Sequence, residues 1–185
     1  MKTMKSIGMM LMAAMVAFGF VACGSDDDNT PAPPAGPGGT SSITVGGTAF
    51  GVSYAYWDAR VLNEHHTFYT LQFLNTQTIG AADPMDVVSI TYQVTDGSQA
   101  APATGEFSDF QVSVTKLSSN PALDRMFIAS STLNGNTAKL KVTGSGAGYQ
   151  VEFGAMKYTD GVNTTTYDGT AFSFTGGFTK GLLWQ

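Results

Sequence analysis

Residues 87–94 read VVSITYQV, and the alternation in this stretch indicates the class of fold. Val88, Ile90, Tyr92 and Val94 are large and apolar, and the residues between them are serine, threonine and glutamine. Because successive side chains of a β-strand point to opposite faces, one set would be buried and the other would face solvent. The stretch therefore predicts a strand of an antiparallel sheet that has one wet face.

The same two-residue period recurs on both sides of this strand. Gly46-Gly47 is a two-residue hairpin signal, Asn120-Pro121 is typical of the start of one short helical turn, and no amphipathic helix of any length is present. About nine strands are predicted, namely Ser41–Val45, Thr48–Trp57, Thr67–Asn75, Val87–Val94, one around 110–115, Met126–Leu133, Thr137–Thr143, Tyr149–Tyr158 and Ala171–Trp184.

The predicted fold class is all-β, a single antiparallel β-sandwich of about nine strands. Uneven strand lengths and two long loops, residues 58–66 and 76–86, favour a sandwich. A closed calycin-like β-barrel is the alternative, because periodicity alone does not distinguish the two architectures.

The second predicted strand, Thr48–Trp57, carries its large side chains on one face. Phe50, Tyr54 and Tyr56 share that face and are expected to meet the core. Trp57 would then point the other way, at the start of the predicted loop 58–66.

The N-terminus has the organisation of a secretory signal peptide over residues 1–22. Lys2 and Lys5 precede an uncharged apolar run over residues 7–22, which is shorter than the roughly 20 residues that a membrane-spanning helix needs. We therefore interpret residues 1–22 as a signal that is removed on export.

Phe20-Val21-Ala22-Cys23 resembles a bacterial lipobox, and Cys23 is the only cysteine of the chain. The resemblance implies that Cys23 is diacylated and becomes the mature N-terminus of a Gram-negative lipoprotein. Two or more acyl chains hold a protein stably on a membrane, whereas one chain does not. The expected partner is therefore the membrane, which the protein would reach through acyl chains on Cys23.

Asp26, Asp27 and Asp28 follow the cysteine closely and resemble the acidic export signal of some Gram-negative surface lipoproteins. The resemblance implies an outer-membrane location that faces the cell exterior. Residues 23–40 are predicted to form an acidic and then Pro/Gly-rich tether, and residues 41–185 the β-domain.

The charge of the chain excludes one class of partner. Removal of Lys2 and Lys5 with the signal leaves fourteen acidic against seven basic residues, a net charge of −7, and no stretch is rich in lysine or arginine. Nucleic acid is therefore not an expected partner.

Metal and cofactor chemistry has weak support in the sequence. His65 and His66 are adjacent, so on an extended chain they would point to opposite faces. Two pairs of loop aspartates, Asp83 with Asp86 and Asp160 with Asp168, offer oxygens for calcium but lack a regular ligand spacing. We predict no metal and no cofactor.

Catalysis has equally little support. The sequence has no Gly-x-Ser-x-Gly elbow, and its acidic residues form many pairs without singling one out for glycoside hydrolysis. We predict that the protein is not an enzyme, and a lipid-anchored hydrolase remains the least favoured of four hypotheses.

Aromatic and polar residues around the predicted loop 58–66 are the better lead. Trp57, Arg60, His65 and His66 are the candidate ligand contacts, since aromatic faces beside polar groups suit a glycan, a small molecule or a protein. The sequence favours a binding or adhesion module displayed on the cell surface. A barrel-type carrier of a small apolar ligand, or a structural envelope or appendage subunit joined through an edge strand, are the alternatives.

Overall fold

A computed structural model describes residues 40–63, 65–79, 82–95, 97–146, 148–160 and 165–182. In these residues the chain is all β apart from one 3-10 turn at Pro121–Leu123, which confirms the predicted fold class. The strands are β1 Ser41–Val45, β2 Thr48–Val52, β3 Tyr54–Asn63, β4 His66–Leu74, β5 Met85–Thr95, β6 Gly105–Phe107, β7 Phe110–Leu117, β8 Arg125–Ser130, β9 Leu140–Thr143, β10 Tyr149–Phe153, β11 Met156–Thr159, β12 Thr166–Gly169, β13 Phe172–Gly176 and β14 Thr179–Lys180.

The strands form two sheets. The large sheet has ten strands in the order β14-β3-β4-β5-β7-β8-β11-β12-β1-β2, and the small sheet has four in the order β13-β10-β9-β6. Neighbouring strands are antiparallel except β14, which is parallel to β3. Fourteen strands are described against the nine predicted. The predicted strands Thr48–Trp57, Tyr149–Tyr158 and Ala171–Trp184 are each interrupted, and β6 and β12 were not predicted.

The hairpin β1–β2 forms where Gly46-Gly47 predicted it. Both glycines have positive φ, 55° and 80°, as the tight turn of a two-residue hairpin requires. A Cβ atom on Gly46 would also lie 2.8 Å from Cδ1 of Tyr167, so this position excludes a larger residue.

The large sheet curls because Ser53 interrupts the second predicted strand. Ser53 lies between β2, at one end of the sheet, and β3, next to the other end, and its backbone N–H donates to the Leu74 carbonyl at 2.7 Å. The chain therefore crosses directly from one end of the sheet to the other, and β2 packs against β5, β4 and β7. Among the described residues no ladder joins β2 to β14, and the large curled sheet together with the small one is consistent with a β-sandwich or a half-barrel.

An ion pair secures the curled end of the sheet. The Lys116 ammonium donates to the Asp86 carboxylate and lies 5.2 Å from the ring centre of Phe50. The second carboxylate oxygen of Asp86 accepts from the backbone N–H of Gly51 at 2.9 Å. Strand β2 is thus tied by polar contacts to β5 and β7.

The core lies between the two sheets and is rich in aromatic rings. The ring centre of Phe73 in the large sheet lies 5.1 Å from that of Phe172 and 4.9 Å from that of Phe174 in the small sheet. Tyr92 and Phe107 are in contact in the same way at 4.5 Å. Offset and edge-to-face ring pairs of this kind add stability to the burial of their apolar area.

The prediction of a loop at residues 58–66 is wrong, because the chain forms a β-hairpin there. Strand β3 runs to Asn63 and pairs with β4, in a register from Tyr54 opposite Leu74 to Asn63 opposite His66. The polar composition of DARVLNEHH suggested a loop, but cross-strand pairing with β4 holds these residues extended.

No described helix is long and apolar enough to cross a membrane.

Candidate functional site

The sequence candidates Arg60, His65 and His66 lie together at the tip of the β3–β4 hairpin. The side-chain oxygen of Asn63 accepts from the backbone N–H of His65 at 2.9 Å and is 3.1 Å from Nδ1 of His66. The asparagine side chain therefore closes the turn and orients one imidazole. Glu64 lies outside the described residues.

The fourth candidate, Trp57, does not lie at the tip. It is 4% exposed and belongs to the core cluster, and Lys180 lies 5.3 Å from its ring centre. The interruption at Ser53 shifts the alternation, so that Trp57 belongs to the core cluster. Tyr54 and Tyr56 lie on the opposite face of the sheet, where Tyr56 is also only 4% exposed. The predicted orientation of Trp57 away from the core was therefore wrong, because strand periodicity does not continue through a break between two strands. Tyr56 is buried as predicted, but on the face opposite the core cluster.

The hairpin tip also exposes apolar surface. Val61 and Leu62 are 45% and 56% exposed, and both precede the turn. Single exposed apolar residues are common on protein surfaces, but here two adjacent ones project from a hairpin beside Arg60.

The four aspartates considered for calcium all have partners within the fold; Asp168 pairs with Lys157, and the Tyr167 hydroxyl lies 3.5 Å from Asp160. Asp83 accepts from the hydroxyls of Ser118 and Ser119, which hold the pKa of its carboxyl below the ordinary value together with the Ser119 backbone N–H. Asp86 is nearly buried and paired with Lys116. In the described ranges no three histidine, cysteine or acidic side chains come together to hold a metal ion.

The outer face of the small sheet is charged. Lys139 and Glu106 form an ion pair at 2.5 Å, and Lys141 and Glu152 another at 3.1 Å. Hydrogen bonding to Lys139 lowers the pKa of the Glu106 carboxyl. These four side chains line a pocket of about 420 Å³, but each is more than a third exposed and has its partner within the group. The face is therefore typical of a solvated sheet surface.

Over strands β3, β4, β5, β7 and β8 the outer face of the large sheet has a different composition, whereas its strands β11 and β12 carry the exposed ion pair of Lys157 and Asp168. Residues directly opposite each other in an antiparallel ladder share a face, so cross-strand rows can be read from strand to strand. The threonine row comprises Asp58, Thr70, Thr91, Gln111 and Ser130. The serine row comprises Tyr56, Gln72, Ser89, Ser113 and Ile128.

Two further rows flank these. Arg60, Phe68 and Gln93 lie toward the hairpin tip, and Tyr54, Leu74, Val87, Thr115 and Met126 lie toward the opposite end. We call the outward side chains of these four rows the neutral face. Among its described residues the only charges are those of Asp58 and Arg60, both on strand β3 at its border.

The neutral face extends over five strands. With neighbouring strands about 4.8 Å apart, each five-residue row is about 19 Å long. Thr70, Thr91 and Gln111 are half-buried on this face, and five further members are at most 5% exposed, namely Tyr56, Gln72, Leu74, Val87 and Ser130. Burial raises the pKa of Tyr56, and the neighbouring Tyr54 adds to the effect, so the Tyr56 phenol is neutral near neutral pH.

Sequence reasoning missed this face. The outward residues of single strands, such as Ser89, Thr91 and Gln93, were identified correctly. Their assembly into rows depends on which strands are neighbours, and β5 pairs with β7 rather than with β6, the next strand along the chain. The signal that could have found the face is the absence of lysine and glutamate from outward positions of these strands.

Cys23 and Asp26–Asp28 lie outside the described residues. Comparison of the chain with protein-family models, with curated proteins and with solved structures gave no match.

Proposed function

We propose that this protein is a lipid-anchored surface module that binds its ligand through the neutral face and the adjoining hairpin tip. The apolar run that ends at Cys23, the acidic residues Asp26–Asp28 and the Pro/Gly-rich stretch to residue 40 support export, anchoring and tethering. The β-domain then remains in water while the acyl chains hold the protein on its membrane.

The contrast between the two outer faces carries the proposal. A sheet surface that only meets water usually has charged side chains, as the small sheet has in Glu106, Lys139 and Lys141. Charged residues are depleted at the centres of binding interfaces, because removing them from water is costly. A five-strand face with two charges at one border is therefore suited to being covered by a ligand.

The position of the tether supports display of this surface. The first described strand starts at Ser41, which pairs with Val52 beside the interruption at Ser53, where β3 begins. From there the ten residues of β3 extend about 30 Å to the hairpin tip. The tip thus lies at the end of β3 that is farther from the tether.

Assembly through a sheet edge is a second candidate function, and one observation favours it. Strand β14 pairs with β3 only at Tyr56 and Trp57, so in the described residues the edge of β3 from Asp58 to Asn63 has no neighbouring strand. This edge carries two charged residues and a register shift near Val61, both of which protect an edge against pairing. Assembly therefore ranks below ligand binding.

The aromatic core makes interior carriage the weaker alternative. A carrier needs space between its sheets for the ligand. Here the ring centre of Phe73 lies only about 5 Å from those of Phe172 and Phe174 on the other sheet. Binding at an outer surface needs no such space.

The binding function can be tested on an array of glycans, peptides and extracellular proteins. The soluble mature chain from residue 23, with Cys23→Ser, is compared with the same chain carrying Thr91→Lys on the neutral face. Thr175→Lys is the matched control, because Thr175 is an exposed threonine on β13 of the small sheet. We expect wild-type signals that Thr91→Lys abolishes and Thr175→Lys retains. An array without signals, or equal losses in both variants, would refute the proposal.

The anchoring can be tested separately in whole cells. We expect the mature protein to carry acyl chains on Cys23 by mass spectrometry and to be labelled by antibody on intact cells. Cys23→Ser should abolish acylation, and replacement of Asp26–Asp28 by alanines should reduce surface labelling without affecting acylation. Asp109→Ala, in the turn between β6 and β7, is the control for a simple loss of acidic charge. Unaltered surface labelling in the triple variant would show that the acidic stretch does not direct display.

A further inference from the structure

The turn at Asn134-Gly135 lies on the surface between β8 and β9. Asn134 has a φ of 57° and Gly135 a φ of 74°, and the backbone N–H of Asn136 donates to the Leu133 carbonyl at 3.0 Å. Two central residues with positive φ are typical of a type I′ turn, in which asparagine and glycine are a preferred pair. Both residues are exposed, and no described heavy atom beyond the chain neighbours lies within 4 Å of the place that a Cβ atom on Gly135 would take.

We propose that Asn134 is a site of spontaneous deamidation, and that the modified turn weakens the junction between β8 and β11. The reaction needs only the asparagine side chain, the next backbone nitrogen and water. The Gly135 nitrogen attacks Cγ of Asn134, the bond from Cγ to Nδ2 breaks, and ammonia leaves with the proton that the Gly135 nitrogen gives up. Water then opens the cyclic imide at either of its two carbonyl carbons. One opening gives aspartate, and the other gives isoaspartate, in which the main chain runs through Cβ and Cγ.

The residue after each asparagine decides which site reacts first. A side chain there hinders the approach of the nitrogen and proline has no N–H, whereas glycine presents neither obstacle. Asn134 is the only asparagine of the chain that a glycine follows, since threonine, glutamate or proline follows each of the others. We therefore expect the reaction at Asn134 before any other asparagine.

Asp168-Gly169 has the composition to form the same imide from an aspartate, but its surroundings differ. The two residues lie in β12, which is paired with β11 on one side and with β1 on the other. A Cβ atom on Gly169 would lie 2.3 Å from the ring of Tyr158, so this glycine is closely packed. Closure of the imide requires the backbone to rotate, and a strand paired on both sides resists that rotation. The exposed turn is therefore the favoured site.

Just after the turn, the side chain of Asn136 connects β8 to β11. These strands pair at Ile128 and Thr159, so in the same register Ser130 and Lys157 would lie opposite each other. The Asn136 amide lies between the two instead. Its Nδ2 donates to the Ser130 carbonyl at 2.9 Å and to the Lys157 carbonyl at 3.0 Å, and its Oδ1 accepts from the Lys157 N–H at 2.7 Å. The side chain thus replaces a strand residue at the junction of the two strands.

The two products of deamidation differ in their effect on this junction. Aspartate at position 134 adds a negative charge but leaves the main chain unchanged in length. Isoaspartate adds the charge and also one methylene group to the main chain of the turn, which displaces the residues that follow. The amide of Asn136 is then no longer aligned with the backbone of Lys157. We therefore expect isoaspartate, rather than aspartate, to weaken the junction.

The modification can be tested by ageing the soluble mature chain with Cys23→Ser in mildly alkaline buffer. Peptide mass mapping and enzymatic methylation of isoaspartate measure the products. We expect Asn134 to react first, at a rate that rises with pH because the attacking nitrogen must lose its proton. Asn75, which a threonine follows, is the internal control. Asn134→Gln should abolish the signal at this position, because the longer side chain would have to close a larger ring. Deamidation of Asn134 no faster than that of Asn75 would overturn the proposal.

Hydrogen exchange of the Lys157 amide tests the effect on the junction. In the isoaspartate form, separated by chromatography, this amide should exchange about tenfold faster than in unaged protein, because its hydrogen bond to Asn136 is weakened. Asn134→Asp is the matched control, since it adds the charge alone and should retain the protection. Asn136→Ala is the positive reference, since it removes the acceptor. Exchange at the unaged rate in the isoaspartate form would overturn the effect on the junction, whatever the rate in Asn136→Ala.

Discussion

The outer face of the small sheet and the neutral face of the large sheet differ in the charged residues that they carry. On the small sheet, Glu106, Lys139, Lys141 and Glu152 form exposed ion pairs across neighbouring strands. On the five-strand neutral face, the outward positions are mainly Ser, Thr, Gln and aromatic residues. Both faces have the same backbone geometry, so folding does not require this difference. The proposed ligand surface rests on this difference.

The large sheet contains an exposed ion pair, Lys157 with Asp168 on β11 and β12, and a second pair on its core-facing side. Asp86 and Lys116 have side chains only 9% and 18% exposed, and they tie the curled end of the sheet to β5 and β7. The charges of the small-sheet pairs remain in water, whereas those of this pair are largely removed from it. We therefore expect the Asp86–Lys116 pair to contribute more to the free energy of unfolding than the small-sheet pairs do.

The largest effect is expected from Lys116→Ala. The substitution leaves the carboxylate of Asp86 nearly buried with only the Gly51 backbone N–H as a donor, and removal of one partner of a buried pair costs about 3 kcal/mol. The free energy of unfolding from urea denaturation measures this loss. Lys141→Ala, which breaks an exposed pair, is the matched control. Equal losses in the two variants would contradict the assigned difference between the faces.

A smaller effect on stability is expected when acid protonates Asp83, which lies in the loop just before β5. The hydroxyls of Ser119 and Ser118 hold the pKa of Asp83 below the ordinary 3.8, so its contribution to stability is complete above that value. The contribution is lost as pH falls through the lowered pKa of the folded state, because the unfolded state binds the proton more readily.

Urea midpoints measured from about pH 6 to about pH 2.5 test this expectation. Asp83→Asn should reduce the loss of stability in the acid range relative to wild type, whereas Asp109→Asn, in the turn between β6 and β7, should not. An acid profile of Asp83→Asn identical to that of wild type would show that the serine hydroxyls do not hold this carboxylate.

The smallest effect is expected from Glu106→Gln on the small sheet. Glu106 and Lys139 have side chains 54% and 59% exposed, so water screens their attraction and the gain from pairing is slight. We expect a denaturation curve that overlays that of wild type at moderate salt. Destabilisation as large as that of Lys116→Ala would mean that the small-sheet face depends on its charges for stability.

Part of the candidate site could be predicted and part could not. Arg60, His65 and His66 were identified from their residue types, and pairing of β3 with β4 brings them to one hairpin tip. Trp57 was assigned to the wrong face, because the alternation was read through Ser53 as if the strand were continuous. The neutral face was not identified, since its rows combine residues from strands that are distant in sequence.

The all-β class and the hairpin at Gly46-Gly47 follow from the amino-acid sequence alone. Both depend on local rules, namely the two-residue alternation of strand side chains and the positive φ that glycine allows. The folded chain was needed to show that β5 lies between β4 and β7, that Asp86 pairs with Lys116, and that Ser89 and Ser113 share a face. These features depend on hydrogen-bonded pairing between distant strands, which the period of a single strand does not encode.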